Sequence, residues 1–155
     1  MEFTSCLSND DFVKFIEIHR ENQNTEVLNL DFLDGVSEDT LIESFSKINT
    51  IFKSKHNKKH FNNALEIQKQ IIKILNPWIM NDICLILSEG LNSNEKLEKE
   101  FSYNVLKFVI DEYPENIKLS IPTLVPIISS DINDILASIK TISSEVLEKL
   151  LYCTG

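Results

Sequence analysis

Between Ile51 and Phe61 the chain reads IFKSKHNKKHF, a run whose side chains are suited to holding an anion. Lys53, Lys55, Lys58 and Lys59 bring ammonium groups, His56 and His60 bring imidazole donors, and Lys69 and Lys73 follow in the next segment. Lysines at this density neutralise phosphates and release the counterions that surround them. Asn57 and Asn62 could add hydrogen bonds. Residues 47–75 hold seven bases against Glu66 alone, a net of +6 in a chain of formal net charge −9. Residues 1–46 carry a net of −9 and residues 76–155 a net of −6. Most of the surface therefore repels nucleic acid, so binding to free RNA through the run should be weak and salt-sensitive. The plainer alternatives are a solvated loop, neutralisation by the chain's own acidic N-terminal part, and an acidic protein partner.

Other chemistry finds less support. His56 and His60 are four apart, as in zinc-binding helices, but Asn57, Lys58 and Lys59 between them offer no general base and repel a cation. Cys6, Cys84 and Cys153 are distant from one another and form no CxxC pair, which predicts reduced thiols without a disulfide or zinc site. Cys84, in a nearly all-apolar segment, reads as a small packed hydrophobe. The acid pairs Asp10–Asp11, Glu98–Glu100 and Asp111–Glu112 fall at helix ends or exposed faces, where carboxylates are ordinarily solvated. No residue set points to catalysis, a cofactor, a metal or a small-molecule substrate.

The elements that must carry these residues are helices. The chain has 155 residues, enough for one domain with a real core, and only three glycines and four prolines, too few for an all-β fold. Apolar residues recur at helical spacing over 8–22, 37–54, 60–75, 77–91, 94–113, 115–130, 132–142 and 144–153, and 25–33 leans the same way. Ser37 caps the 37–54 helix, whose stripe is Leu41, Ile42, Phe45, Ile48 and Phe52. Asn76 and Pro77 open the next-but-one, and Gly90 is its expected stop. Pro122 and Pro126 fall near the start of the 115–130 segment or inside it, where proline kinks a helix. Asp131 caps the helix after it, and Ser143 or Ser144 the last. Trp78, the chain's one tryptophan, is expected in the core, with a binding ridge as the alternative; His19 is expected to pack on an apolar face.

Helix pairs at roughly 40-residue spacing suggest an α-solenoid of HEAT type, with a compact bundle as the alternative. From Ala64 to Ile142 the chain reads ILNPWIMNDICLILSEGLNS and then FSYNVLKFVIDEYPENIKLSIPTLVPIISSDIND. This resembles the HEAT-repeat region of fungal-type translation elongation factor 3, and the related region of the ribosome-bound activator of the amino-acid-starvation kinase. The shared features are the Asn76-Pro77 opening, the Tyr113-Pro114 corner, the Ile121-Pro122 to Pro126-Ile127 helix and the Asp131 turn. They cover about half the chain. NEKLEKEF, where the family has Trp or basic residues, and DINDI, where it has a basic position, depart from the pattern. The resemblance implies ribosome binding. The ATP-driven step of elongation factor 3 is excluded here, because three glycines leave no GxxxxGK[ST] loop to close on phosphates.

The sequence thus predicts one all-α domain over 1–155, a HEAT-like solenoid of about eight helices. Residues 1–59 form acidic helices that could cap it, and residues 60–155 form the repeats. The expected partner is the ribosome, with rRNA phosphates meeting the basic segment and basic ribosomal proteins meeting acidic faces. A protein–protein adaptor is the alternative. No apolar run approaches the roughly 20 residues of a membrane-spanning helix, and MEFTSCLSNDDF has no signal-peptide core, so no membrane partner and a cytoplasmic location are expected.

Overall fold

The computed structural model describes residues 33–154, which form six α-helices linked by short 3₁₀ turns, with no strand among them. The helix predicted over 8–22, most of the 25–33 segment, Cys6 and His19 lie outside the described residues. The chain divides into two compact units, residues 1–75 and 76–155.

In the first unit, Gly35 takes φ +76°, a turn conformation that only glycine adopts without strain, and the chain then enters α1 (Glu38–Thr50). Ser37 caps it as expected, its Oγ accepting from the Thr40 N–H at 3.3 Å. Leu41, Phe45 and Ile48 form the buried stripe and face α2 (Phe61–Ile74), which buries Ala64, Ile67, Ile71 and Ile72. The side-chain amide of Gln68 fixes how the pair aligns, donating to the Phe45 carbonyl at 2.9 Å and to Asn49 Oδ1 at 3.1 Å.

The α-helix predicted to run to residue 54 stops at Thr50. Two 3₁₀ turns, Ile51–Lys53 and Lys55–His60, replace its end. The first turn closes on the Ile51 carbonyl, which accepts from the Ser54 N–H at 3.3 Å and from the Asn57 side-chain amide at 2.8 Å. Phe52 is fully buried and meets Phe61 edge to face, ring centres 5.6 Å apart, which pins both ends of the segment.

In the second unit, Asn76 accepts from the Trp78 N–H through its Oδ1 at 3.1 Å, and Pro77 starts a 3₁₀ turn that feeds α3 (Met80–Leu91). Then come α4 (Lys96–Glu112), α5 (Ile121–Asp131) and α6 (Ala137–Thr154). Helix α3 packs on α4 and α5 on α6, while α3 lies beside α5 and α4 beside α6. Three ion pairs join α4 to α6 and the turn before it: Lys96–Asp134 (2.8 Å), Lys107–Glu145 (2.7 Å) and Asp111–Lys149 (2.7 Å). Each links residue i to i + 38. Partners that advance together in this way mean that α4 and α6 run parallel.

Three capping expectations are corrected here. Gly90 does not stop α3 but lies inside its last turn, where a Cβ would come within 1.9 Å of Ser102 Oγ on α4; the glycine is required by close approach. Asp131 does not cap the next helix. Its carboxylate is taken by α4, accepting from Lys99 Nζ at 2.6 Å and from the Tyr103 hydroxyl. The two helices predicted over 132–142 and 144–153 are one, α6. Ser143 and Ser144 donate back to the Lys140 carbonyl, at 3.1 and 2.8 Å, inside a continuous helix. Pro126 does sit within α5, and with no N–H of its own it leaves the Pro122 carbonyl without the usual helical donor.

Candidate anion-binding surface

A 3₁₀ helix has three residues per turn, so positions three apart share a face. In the turn Lys55–His60 the buried residues Asn57 and His60 are three apart and share a face, and in the turn before it Ile51 and Phe52 are buried, so both turns are anchored in the core of the first unit. Lys53, Lys55, His56, Lys58 and Lys59 fall on the remaining faces, and all five are exposed. At about 2 Å of rise per residue, the span from Lys55 to Lys59 is about 8 Å, which puts three ammonium groups and an imidazole in close company. None of Lys53, Lys55, Lys58 and Lys59 is in an ion pair with another described residue. Two acidic side chains of this unit's described part pair within α1 and α2: Glu43 with Lys47 at 2.9 Å and Glu66 with Lys69 at 3.7 Å.

The eight basic residues singled out by sequence therefore separate. Five form one exposed cluster. Lys73 is exposed farther along α2. Lys69 is half-buried beside Glu66. His60, unlike those five, is buried at the start of α2, with 8% exposure. The same geometry answers the zinc-like spacing. Four residues on a 3₁₀ helix amount to a turn and a third, so His56 and His60 point about 120° apart. Among the described residues, no group of three or more His, Cys, Asp or Glu side chains could hold a metal ion.

In the second unit Cys84 is buried, and burial pushes its thiol up to about 12, offset in part by a hydrogen bond with Ser120. A thiol held neutral in this way is a poor nucleophile. Tyr103 is likewise held in its neutral form, first by burial and then by its bond to the Asp131 carboxylate. Among the described residues, no single helix is long and apolar enough to cross a membrane.

Trp78 is the residue that sequence reasoning misplaced. It is 85% exposed, on the 3₁₀ turn before α3. The helical phase carried the signal: the buried stripe of α3 runs Met80, Ile83, Cys84, Leu87, Leu91, and extended backwards it meets 76 and 77, not 78. Leu119, 83% exposed, stands on the 3₁₀ turn Lys118–Ser120. The two line a shallow pocket of about 360 Å³ together with Asn81, Glu115, Asn116 and Lys118. Compared with known proteins, the chain matches no family model, no curated protein and no solved structure.

Proposed function

We propose that this chain is a non-enzymatic, cytoplasmic ribosome-binding protein of HEAT-like solenoid architecture, acting as a translation regulator or hibernation-type factor. The exposed cluster of Lys53, Lys55, His56, Lys58 and Lys59 meets rRNA phosphates, with Lys69 and Lys73 at its margin. The acidic faces of the second unit meet basic ribosomal proteins. One observation carries the reading: four lysines stand exposed, in no ion pair with another described residue, on a segment that is also anchored in a core. Such ammonium groups are available to phosphate with little cost of ordering the backbone.

The constant offset of 38 residues between the paired positions of α4 and α6 supports the solenoid part of the reading, since stacked helical repeats place equivalent helices side by side and parallel. A protein–protein adaptor is favoured by a different observation, the exposure of Trp78 and Leu119 around one pocket.

The test is co-sedimentation with ribosomes of the same organism across a salt series. Four phosphate contacts predict that log affinity falls with log salt at a slope of about −3 to −4, or about a hundredfold between 50 and 200 mM. Pelleting that ignores salt, or no pelleting at low salt, would sink the phosphate reading.

A further inference from the structure

We infer that the pocket between Trp78 and Leu119 is a docking site for a basic peptide segment that inserts one large apolar side chain. The inference rests on the acidic-face half of the ribosome reading and gives it residues; it does not depend on the lysine cluster.

The pocket is built rather than incidental. Its two walls come from turns about 40 residues apart in sequence, and a polar bond ties them: Ser120 Oγ donates to Asn81 Oδ1 at 2.7 Å. The Trp78 wall is set by the Asn76 cap, with the Ile79 N–H bonded to the Asn76 carbonyl at 2.9 Å. The Leu119 wall is anchored by Ile117, which is fully buried, and by the Ser120 N–H bonded to the Ile117 carbonyl at 2.9 Å. Two large apolar side chains are thus held out in water on fixed backbone. Isolated exposed apolar residues are ordinary, but a pair bracketing a depression is the anchor geometry of an interface. One turn beyond Asn81, Leu85 is 52% exposed and extends the apolar track along α3.

Charge selects the occupant. An exposed tryptophan can stack a nucleobase, but that mode needs a positive groove to hold the backbone. Residues 76–155 carry a net of −6, and five of their six lysines are already paired. Of the charged pocket residues, Lys118 is bound to Glu115 at 3.0 Å, so it presents no free cation. Asp82, next to the pocket residue Asn81, is exposed and in no ion pair with another described residue. The surroundings therefore repel phosphate and attract lysine and arginine. Asn81 and Asn116 add amide groups suited to the backbone of an extended chain.

Trp78 is the chain's single tryptophan, so its emission reports on this pocket alone. The probe is a synthetic peptide of alternating Lys and Ser with one central Leu and no aromatic residue, titrated into the full chain. Matched peptides carry Ser in place of Leu, or Glu in place of Lys. The expected result is a saturable blue shift with the Lys/Leu peptide, no shift with either control, and at least about tenfold weaker binding in Leu119→Ser. No shift up to about 1 mM peptide, or equal shifts with the Leu-free peptide, would overturn the inference. A blue shift that grows with protein concentration and no peptide would also overturn it, giving the pocket to a second copy. Replacing Lys53, Lys55, Lys58 and Lys59 with Glu should leave the peptide response intact. A peptide response without ribosome binding would reject the ribosome and keep the pocket; ribosome binding with no peptide response would reject the pocket alone.

Discussion

In the first unit Lys53, Lys55, Lys58 and Lys59 stand exposed on 3₁₀ turns and pair with no carboxylate among the described residues, whereas in the second unit Lys96, Lys99, Lys107, Lys118 and Lys149 each hold an acid within 3.0 Å. Residue type is the same in both; what differs is the company the backbone arranges. Helices α4 and α6 run parallel, so Lys96, Lys107 and Lys149 meet acids of the other helix or its entry turn, and Lys99 joins α4 to α5; the Lys118–Glu115 pair stays local. The 3₁₀ segment lies within a part of the chain, residues 47–75, with one acid in 29 residues, and its lysines pair with no acid among the described residues. Lysine count alone would not separate a strut from a docking surface. Pairing does.

The sharpest way to test the strut half is at its buried member. Lys99 and Asp131 are 12% and 5% exposed, and Asp131 also accepts from Tyr103. Asp131→Ala leaves a buried ammonium and a buried hydroxyl without their partner, and should cost about 3–5 kcal/mol in urea unfolding. Tyr103→Phe removes only the hydroxyl and should cost about 1 kcal/mol. If both changes were neutral, the cluster would not be holding α4 to α5.

The docking half predicts the opposite pattern. Replacing Lys53, Lys55, Lys58 and Lys59 together with Glu should weaken ribosome co-sedimentation at least about a hundredfold, or about 2.7 kcal/mol, with little change in unfolding midpoint. Replacing Lys96, Lys107, Lys118 and Lys149 with Ala should leave that affinity within about threefold, since paired lysines release few counterions on binding. Equal losses in the two quadruple variants would erase the distinction between the units.

A smaller effect separates close packing from capping at Gly90. Gly90→Ala should destabilise by about 1–3 kcal/mol, because the new methyl collides with Ser102 on α4. Adding Ser102→Gly should recover part of that loss. A helix-stop role would predict no such rescue.

The smallest effect is electrostatic and lies at acid pH. The hydrogen bond from Lys96, followed by that from the Leu136 N–H, lowers the pKa of Asp134 below its ordinary carboxylate value. A group whose folded pKa is depressed contributes stability above its unfolded pKa and loses it as pH falls through the folded one. Unfolding midpoints should therefore decline below about pH 4 less steeply in Asp134→Asn than in the parent. Identical acid limbs would show that this exposed pair contributes nothing measurable.

Helix number and phase were largely legible from sequence because the buried stripes keep a 3.6-residue period: Leu41, Phe45 and Ile48 on α1, and Phe101, Val105, Leu106 and Val109 on α4, fall inside as their spacing requires. The misses over polar residues come from side chains that bond to something other than the N–H groups of the next helix. Asp131 looks like a cap and serves α4, a tertiary partner; Ser143 and Ser144 look like caps and bond backwards within α6, a local one; Asn57 bonds back to the Ile51 carbonyl within the 3₁₀ turns. The lysine cluster could be read from composition, but its membership could not. Only the three-residue period of the segment, invisible without the Asn57 bond, assigns His56 to solvent and His60 to the core.

That period also bears on what evolution can do here. Substitutions at Lys55, His56, Lys58 or Lys59 change the surface and leave the fold alone, so the charge pattern is free to drift toward a new ligand. Insertions and deletions are another matter. Removing one residue between Ser54 and Lys59 rotates everything after it by about a third of a turn, and would draw a lysine toward the place that Asn57 or His60 now fills. Relatives should therefore vary in the letters of this segment and keep its length, a signature distinct from an ordinary surface loop, where length varies most readily.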